Sequence, residues 1–261
     1  MISVVLTTHN EEKNLEATLE SVKIFADQVI IVDGESTDGT VELAKKLGAE
    51  VISTTNKQNF HINKQMAMDK ARGDLILQLD ADEVVDEVLA KYIIKIHEQV
   101  LARENISAAW WVKRKNLFFG RFLSKGGQYP DPVIRLYQKG KARLPQKSVH
   151  EQMIVDGEIG WAEGHFLHLS NPTFSVYLRK FNTYTSFSAE QLTQAGQKPG
   201  TTLALRYFCW KPLATFFSLY FRHKGFVDGT AGFLFAVCSG LHFPVAYLKL
   251  CEIYEKNHSS S

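Results

Sequence analysis

Apolar and polar positions in the first third of the chain follow two alternating periods. Ser3-Val4-Val5-Leu6-Thr7-Thr8 is a short, nearly unbroken apolar run, and Leu15, Leu19 and Val22 then recur at helical spacing. Gln28 to Val32 is a second apolar run ending at Asp33, and Ser36-Thr37-Asp38-Gly39 is a turn with a helix-cap signal. Thr40 to Leu47 predicts a helix stopped by Gly48, Val51-Ile52-Ser53 a third strand, and Phe60 to Ala71 a helix ending near Gly73. Leu75-Ile76-Leu77-Gln78-Leu79 is a fourth strand running into Asp80-Ala81-Asp82-Glu83. Such alternation implies right-handed β-α-β units and a parallel sheet. Ligands bind beyond the carboxyl ends of strands in these sheets. The polar residues that follow the strands, Thr8, Asn10, Glu11, Asp33, Glu35, Asp80 and Asp82, are therefore expected along one edge.

The pattern changes near residue 108. Ala108 to Leu169 is richer in Trp, Gly, Pro and His and predicts shorter strands with functional loops. From Ser175 onward the pattern is helical and aromatic, with Phe216, Phe217, Leu219, Tyr220 and Phe221 running into Arg222, His223 and Lys224. Asp228 to Lys249 approaches the length of a membrane span, but Gly229, Gly232, Ser239, Gly240, His242 and Pro244 dilute its apolar character.

Composition narrows the function. At 261 residues, 45% hydrophobic and 22% charged, the chain can bury a real core. A formal net charge of +2 argues against a general nucleic-acid binder. Cys209, Cys238 and Cys251 form no CxxC, which suits a reduced, cytoplasmic setting. The N-terminal apolar run meets Glu11 and Glu12 at once, unlike a secretory signal. Strand one leads into His9-Asn10-Glu11-Glu12 without glycine, so a dinucleotide-binding loop is excluded, and no phosphate-cradling P-loop occurs.

Asp80-Ala81-Asp82 carries the strongest chemistry. Two carboxylates around one small residue at a strand end suit a hard divalent cation, Mn²⁺ or Mg²⁺, whose other ligands come from a diphosphate. The plainer alternative is an acidic cluster that caps the next helix.

Three segments, "VVLTTHNEEKNL", "VIIVDGESTDGT" and "GDLILQLDADE", resemble in order and spacing the signatures of family 2 glycosyltransferases. Within that family the chain is similar to the lipopolysaccharide core β-1,4-glucosyltransferase group, through "RKNLFFGRFLSKGGQYPDPVIRLYQKGKARL", "VHE" and "FLHLSNPTFSVYLRKFNTYT", and more weakly "HKGFVDGTAGF". The resemblance implies the α/β GT-A fold, with a central, mostly parallel sheet and a helical, aromatic-basic C-terminal appendage. It divides the chain into a transferase domain over 1–170 and a helical region over 171–261. The first has a nucleotide-sugar half (1–105) and an acceptor-side half (106–170).

The resemblance also implies roles. Asp33 stands where the family binds the uracil of a UDP-sugar, although this chain reads Val-Asp-Gly-Glu-Ser where Val-Asp-Asp-Gly-Ser is common, which leaves Glu35 without a ligand role. Thr8, Asn10 and Glu11 match the loop that packs on the nucleoside, and Lys64 the cation near the diphosphate. Asp33 supports a uridine nucleotide in the donor, and the resemblance implies that the UDP-sugar is UDP-glucose. Asp82 and Asp80 are the expected metal ligands, joined by His168, with His165 a second histidine in reach by sequence; for either one a hydrogen-bonded structural role is the alternative. An inverting transfer needs a base on the acceptor side. Glu151 in "SVHEQM" and Asp131 are the candidates, and the alternative for Glu151 is an ion pair with Arg135 or Arg143.

Arg114, Lys115 and Arg121 suit anionic groups on an acceptor such as the lipopolysaccharide inner core. Arg206, Lys211, Arg222 and Lys224 lie among Phe and Tyr, a composition that suits peripheral association with the cytoplasmic face of the inner membrane or, alternatively, an ordinary core helix pair. The competing reading is a non-catalytic glycan- or nucleotide-binding protein on the same fold at a membrane surface.

Overall fold

The computed structural model describes residues 1–57, 60–145 and 152–258. Its contacts divide the chain into two units, 1–115 with 131–169, and 116–130 with 170–261.

The first unit opens with strand β1 (Ile2–Thr8), helix α1 (Glu12–Val22), β2 (Gln28–Asp33), α2 (Thr40–Lys46), β3 (Glu50–Ser53), α3 (Phe60–Lys70) and β4 (Leu75–Asp80). β1 lies between β2 and β4, and β3 flanks β2, all parallel, as the alternation predicts. Side chains of these strands alternate between two apolar layers. Val4, Leu6, Leu75, Leu77 and Leu79 join Leu15, Leu19 and Val22 of α1, whereas Val5 and Ile76 join Ala67 and Met68 of α3. Burial of both strand faces is why these segments read as continuous apolar runs.

The sheet then becomes antiparallel. β5 (Glu83–Val85), α4 (Glu87–Leu101), β6 (Ala109–Phe118), β7 (Arg121–Phe122), β8 (Val133–Gln138), β9 (Ala142–Arg143), β10 (Ile154–Val155) and β11 (Ile159–Asn171) follow. Among the described residues the main sheet has nine strands in the order β3-β2-β1-β4-β8-β6-β11-β5, with β7 on β6, and β9 pairs with β10 separately. The expectation of short strands over 108–169 does not hold for β6 and β11, which run 10 and 13 residues. Each has a neighbour on both sides in the sheet, so its backbone groups find partners along the strand.

The second unit contains α5 (Phe174–Gln194), α6 (Thr201–Leu205), α7 (Lys211–Phe217) and α8 (Gly229–His258). It also takes in 116–130, a stretch that the resemblance places in the acceptor-side half. Asp228 explains this. Its buried carboxylate accepts hydrogen bonds from the Ser124 amide (3.0 Å) and hydroxyl (2.7 Å) and from the Lys125 amide (2.8 Å). Phe118 and Leu123 pack with Ala231 beside it. A Cβ at Gly232 would come within 1.9 Å of the Gly225 carbonyl oxygen, so only glycine permits this approach. Neither the small residues nor Pro244 interrupts α8, and the helical run Gly225–Asn257 is long and apolar enough to cross a membrane by length and composition.

Candidate active site

The register of the parallel strands sets Thr8 opposite Asp33 and Thr7 opposite Asp80, so the carboxyl ends of β1, β2 and β4 form one edge. At β2 the buried Asp33 carboxylate accepts from the Thr8 hydroxyl (2.8 Å) and from the Ser36 hydroxyl and amide (2.5 and 2.9 Å). Three of about four acceptor positions on the carboxylate are thus used within the chain. Asn10 and Glu35 both adopt left-handed backbone, at φ 57° and 60°. The Asn10 amide donates to Ser36 Oγ and its side-chain oxygen accepts from the Thr37 amide, both at 2.8 Å. The Glu11 amide donates to Thr40 Oγ1, and its carboxylate accepts from Asn14. The loops after β1 and β2 are thereby laced into one surface.

At β4, Asp80 lies between two cations. Lys64 Nζ of α3 is 2.5 Å from Oδ1 and Arg135 Nη2 of β8 is 2.7 Å from Oδ2. Arg135 also donates to Gln78 Oε1. Burial pulls the Asp80 carboxyl upward, but Arg135 and Lys64 outweigh it and hold the group well below the usual carboxylate range. Burial lowers the Lys64 ammonium, and the Asp80 charge only partly offsets this. Burial also opposes the Arg135 charge, yet Asp80 and Glu83 leave its pKa above the ordinary arginine value.

The Asp80–Glu83 turn is held from three sides. Thr18 of α1 donates to the Ala81 carbonyl (2.8 Å), the Asp80 amide donates to Glu83 (3.0 Å), and the Leu169 amide donates to the Asp82 carbonyl (2.8 Å). Pairing of β11 with β5 sets His168 opposite Glu83. His168 Nε2 consequently lies 3.4 Å from Asp82 Oδ2. His165, by contrast, meets Asp86, the residue that caps α4.

A cavity of about 270 Å³ adjoins Asp80, with Lys64, Arg114, Arg135 and His61 among its lining residues. Gln152 and Met153 line it too. Glu151 itself lies outside the described residues. Arg114 bridges the buried Glu83 (3.3 Å) and Asp131 (2.9 Å), and Asp131 has φ 37°. Arg121 approaches Asp228 in the second unit.

Among the described residues no group of three or more His, Cys, Asp or Glu is arranged to hold a metal by itself. Asp82 and His168 offer two adjacent, partly exposed donors instead. The Asp82 carboxylate suits a hard cation shared with a ligand's phosphate oxygens, whereas the His168 imidazole suits Mn²⁺ or Mg²⁺ less well than a second carboxylate would. Sequence reasoning took Arg135 only as a partner for Glu151 and passed over Gln78 and Glu83. The signal was present: a charged residue inside the apolar strand Val133–Gln138 requires a partner.

A Rickettsia typhi protein named as a glycosyltransferase is 29% identical over 267 residues, which cover 97% of this chain and 87% of the relative. Staphylococcus aureus TarS 1-349 in complex with UDP-GlcNAc is 15% identical, covers 98% of this chain and 92% of its own, and superposes with a TM-score of 0.49. Mycobacterium tuberculosis glucosyl-3-phosphoglycerate synthase with Mn²⁺, UDP and glucosyl-3-phosphoglycerate is 18% identical, covers 77% and 81%, and has a TM-score of 0.47. The family model described as Glycosyl transferase family 2 matches residues 3–149, more than half of the chain. This α/β chain, with its carboxylate-bearing sheet edge, belongs to glycosyl transferase family 2 and is a glycosyltransferase.

Proposed function

We propose that the enzyme transfers a single sugar, glucose, from a UDP-sugar to a lipopolysaccharide inner-core or similar cell-envelope glycan, with inversion and with dependence on a divalent cation. It works in this reading as a peripheral protein on the cytoplasmic face of the inner membrane. The observation that carries the reading is the pair Asp82–His168 beside the Lys64–Asp80–Arg135 cluster at the carboxyl edge of the sheet.

In this reading Thr8, Asn10, Glu11 and Asp33 receive the nucleoside. The remaining acceptor position on the Asp33 carboxylate takes the uracil N–H. Lys64 faces the diphosphate. Asp82 and His168 would hold Mn²⁺ or Mg²⁺ with diphosphate oxygens. Asp80, its two oxygens already engaged, would reach the ribose or the cation through water. When bound, the cation stabilises negative charge on the departing diphosphate. Glu151 takes the proton from the acceptor hydroxyl as it attacks the anomeric carbon. Its support is that Gln152 and Met153, next in the chain, line the cavity at Asp80. Asp131, the second candidate, is ion-paired with Arg114.

A thermal-shift panel of nucleotide sugars with and without Mn²⁺ tests the reading, because a ligand that binds only the folded chain raises its midpoint. UDP-glucose is expected to raise it most, and only with the cation. A guanosine donor that raises it equally would remove Asp33 from base recognition. No response to any nucleotide sugar would overturn the donor assignment.

A further inference from the structure

In the second unit α6 and α7 belong to one helical run over 201–222, widened by π-type turns at Arg206–Trp210 and Ser218–Arg222. One side of the run is occupied. Tyr207 is buried with its ring 6.0 Å from Phe243 and 6.2 Å from Tyr247 of α8, and Lys211 Nζ lies 4.1 Å above Tyr207. The other side is bare: Leu205, Trp210, Leu213, Phe217 and Phe221 are each between 52% and 72% exposed. The apolar surface continues into Phe226 and Phe233, half-exposed rings 6.2 and 5.6 Å from Tyr220. Large contiguous apolar patches mark a surface that meets a partner.

Charge identifies that partner. From Glu190 to Asp228 the chain has no other acidic residue, and it carries Lys198, Arg206, Lys211, Arg222 and Lys224. We infer that this face docks on an anionic lipid surface. The helical run lies in the plane of the headgroups, its aromatic and leucine side chains reach the acyl boundary, and Arg206, Arg222 and Lys224 meet lipid phosphates, while Lys211 stays over Tyr207 on the α8 side. The inference rests on the peripheral-membrane reading proposed above and names the surface that would carry it. A second copy of the chain fits poorly, because a two-fold contact would set the Arg and Lys residues of this segment against their own copies. Crossing of the bilayer by α8 fits poorly as well. α5 and α7 pack along α8. Lys249 of α8 donates to Asn182 and to the hydroxyls of Thr185 and Ser186 on α5, contacts that lipid around α8 would remove.

The test is sedimentation of the full chain with phosphatidylglycerol vesicles and, separately, phosphatidylcholine vesicles, without any sugar donor. Binding to phosphatidylglycerol at low salt is expected, falling about tenfold or more at high salt, with little binding to phosphatidylcholine. Trp210→Ser with Phe217→Ser, and Arg222→Glu with Lys224→Glu, should each weaken it about tenfold or more. Donor hydrolysis in vesicle-free buffer should stay unchanged in both variants, and its absence from the wild type would count against the donor reading while leaving docking intact. Binding that ignores lipid charge and both double substitutions overturns the inference. So does a dimer that Trp210→Ser with Phe217→Ser splits, or retention in the membrane pellet after a carbonate wash.

Discussion

Arg135 meets Asp80 across two adjacent antiparallel strands, Nη2 to Oδ2 at 2.7 Å, while Lys64 occupies the other carboxylate oxygen. One carboxylate thus balances two buried cations at the edge of the sheet. Removing one partner of a buried pair costs about 3–5 kcal/mol when nothing else compensates. Here Asp80 is partly exposed and keeps Lys64, so Arg135→Met should cost less, about 2 kcal/mol, by the shift in urea midpoint. A loss below about 0.5 kcal/mol would class the pair with surface ion pairs.

The same cluster sets an acid limit. The folded-state pKa of Asp80 lies below its unfolded value of about 3.9, so its stabilising contribution is complete above that pH. It is lost as pH falls below about 4 and Asp80 takes up a proton in the folded state. Urea midpoints followed from pH 6 to pH 2 should show this component in the wild type and lack it in Asp80→Asn, which is less stable at neutral pH. Parallel curves for the two proteins would mean that Asp80 does not titrate with folding.

Asp82 should be the charged ligand to the cation. Even outer partners of metal ligands cost about 10–100-fold in affinity or activity when changed, so Asp82→Asn should raise the Mn²⁺ requirement for transfer by at least that factor. His168→Asn should show a smaller increase. Thermal midpoints close to wild type establish that both variants fold, and ordinary turnover at ordinary Mn²⁺ in Asp82→Asn would remove the assignment.

A positioned base contributes about 10²–10⁴-fold. Glu151→Gln should lower turnover by about that factor and leave UDP affinity unchanged, the pattern of an interaction made in the transition state. If Asp131→Asn is the silent-binding, slow-turnover variant and Glu151→Gln is not, the base is Asp131. An α-linked product from an α-linked donor would refute direct displacement altogether.

The parallel core was readable because both faces of β1, β2 and β4 are covered, which turns each strand into an apolar run closed by a polar residue. Asp80 and Asp82 stood out for the same reason. The antiparallel half was harder. β11 pairs with β5 across more than seventy positions of sequence, and no local period reveals that His168 arrives beside Asp82. Arg135 was hidden in another way. Its charge inside β8 was visible, but its partner could be named only once β8 was known to lie next to β4. Membership of 116–130 in the second unit depends on Asp228, about a hundred residues further along the chain.

That last dependence has a temporal side. A chain emerging from the ribosome displays 116–130 long before Asp228 has been made. Until then the amides of Ser124 and Lys125 lack the carboxylate that receives them in the finished protein. The early strands can pair while synthesis continues, since domains generally fold as units from the N-terminal end. The excursion between Arg114 and Asp131 must wait. A ribosome stalled before residue 228 would therefore hold a nascent chain whose parallel strands β1 to β4 are all made and whose 116–130 excursion is still unmoored.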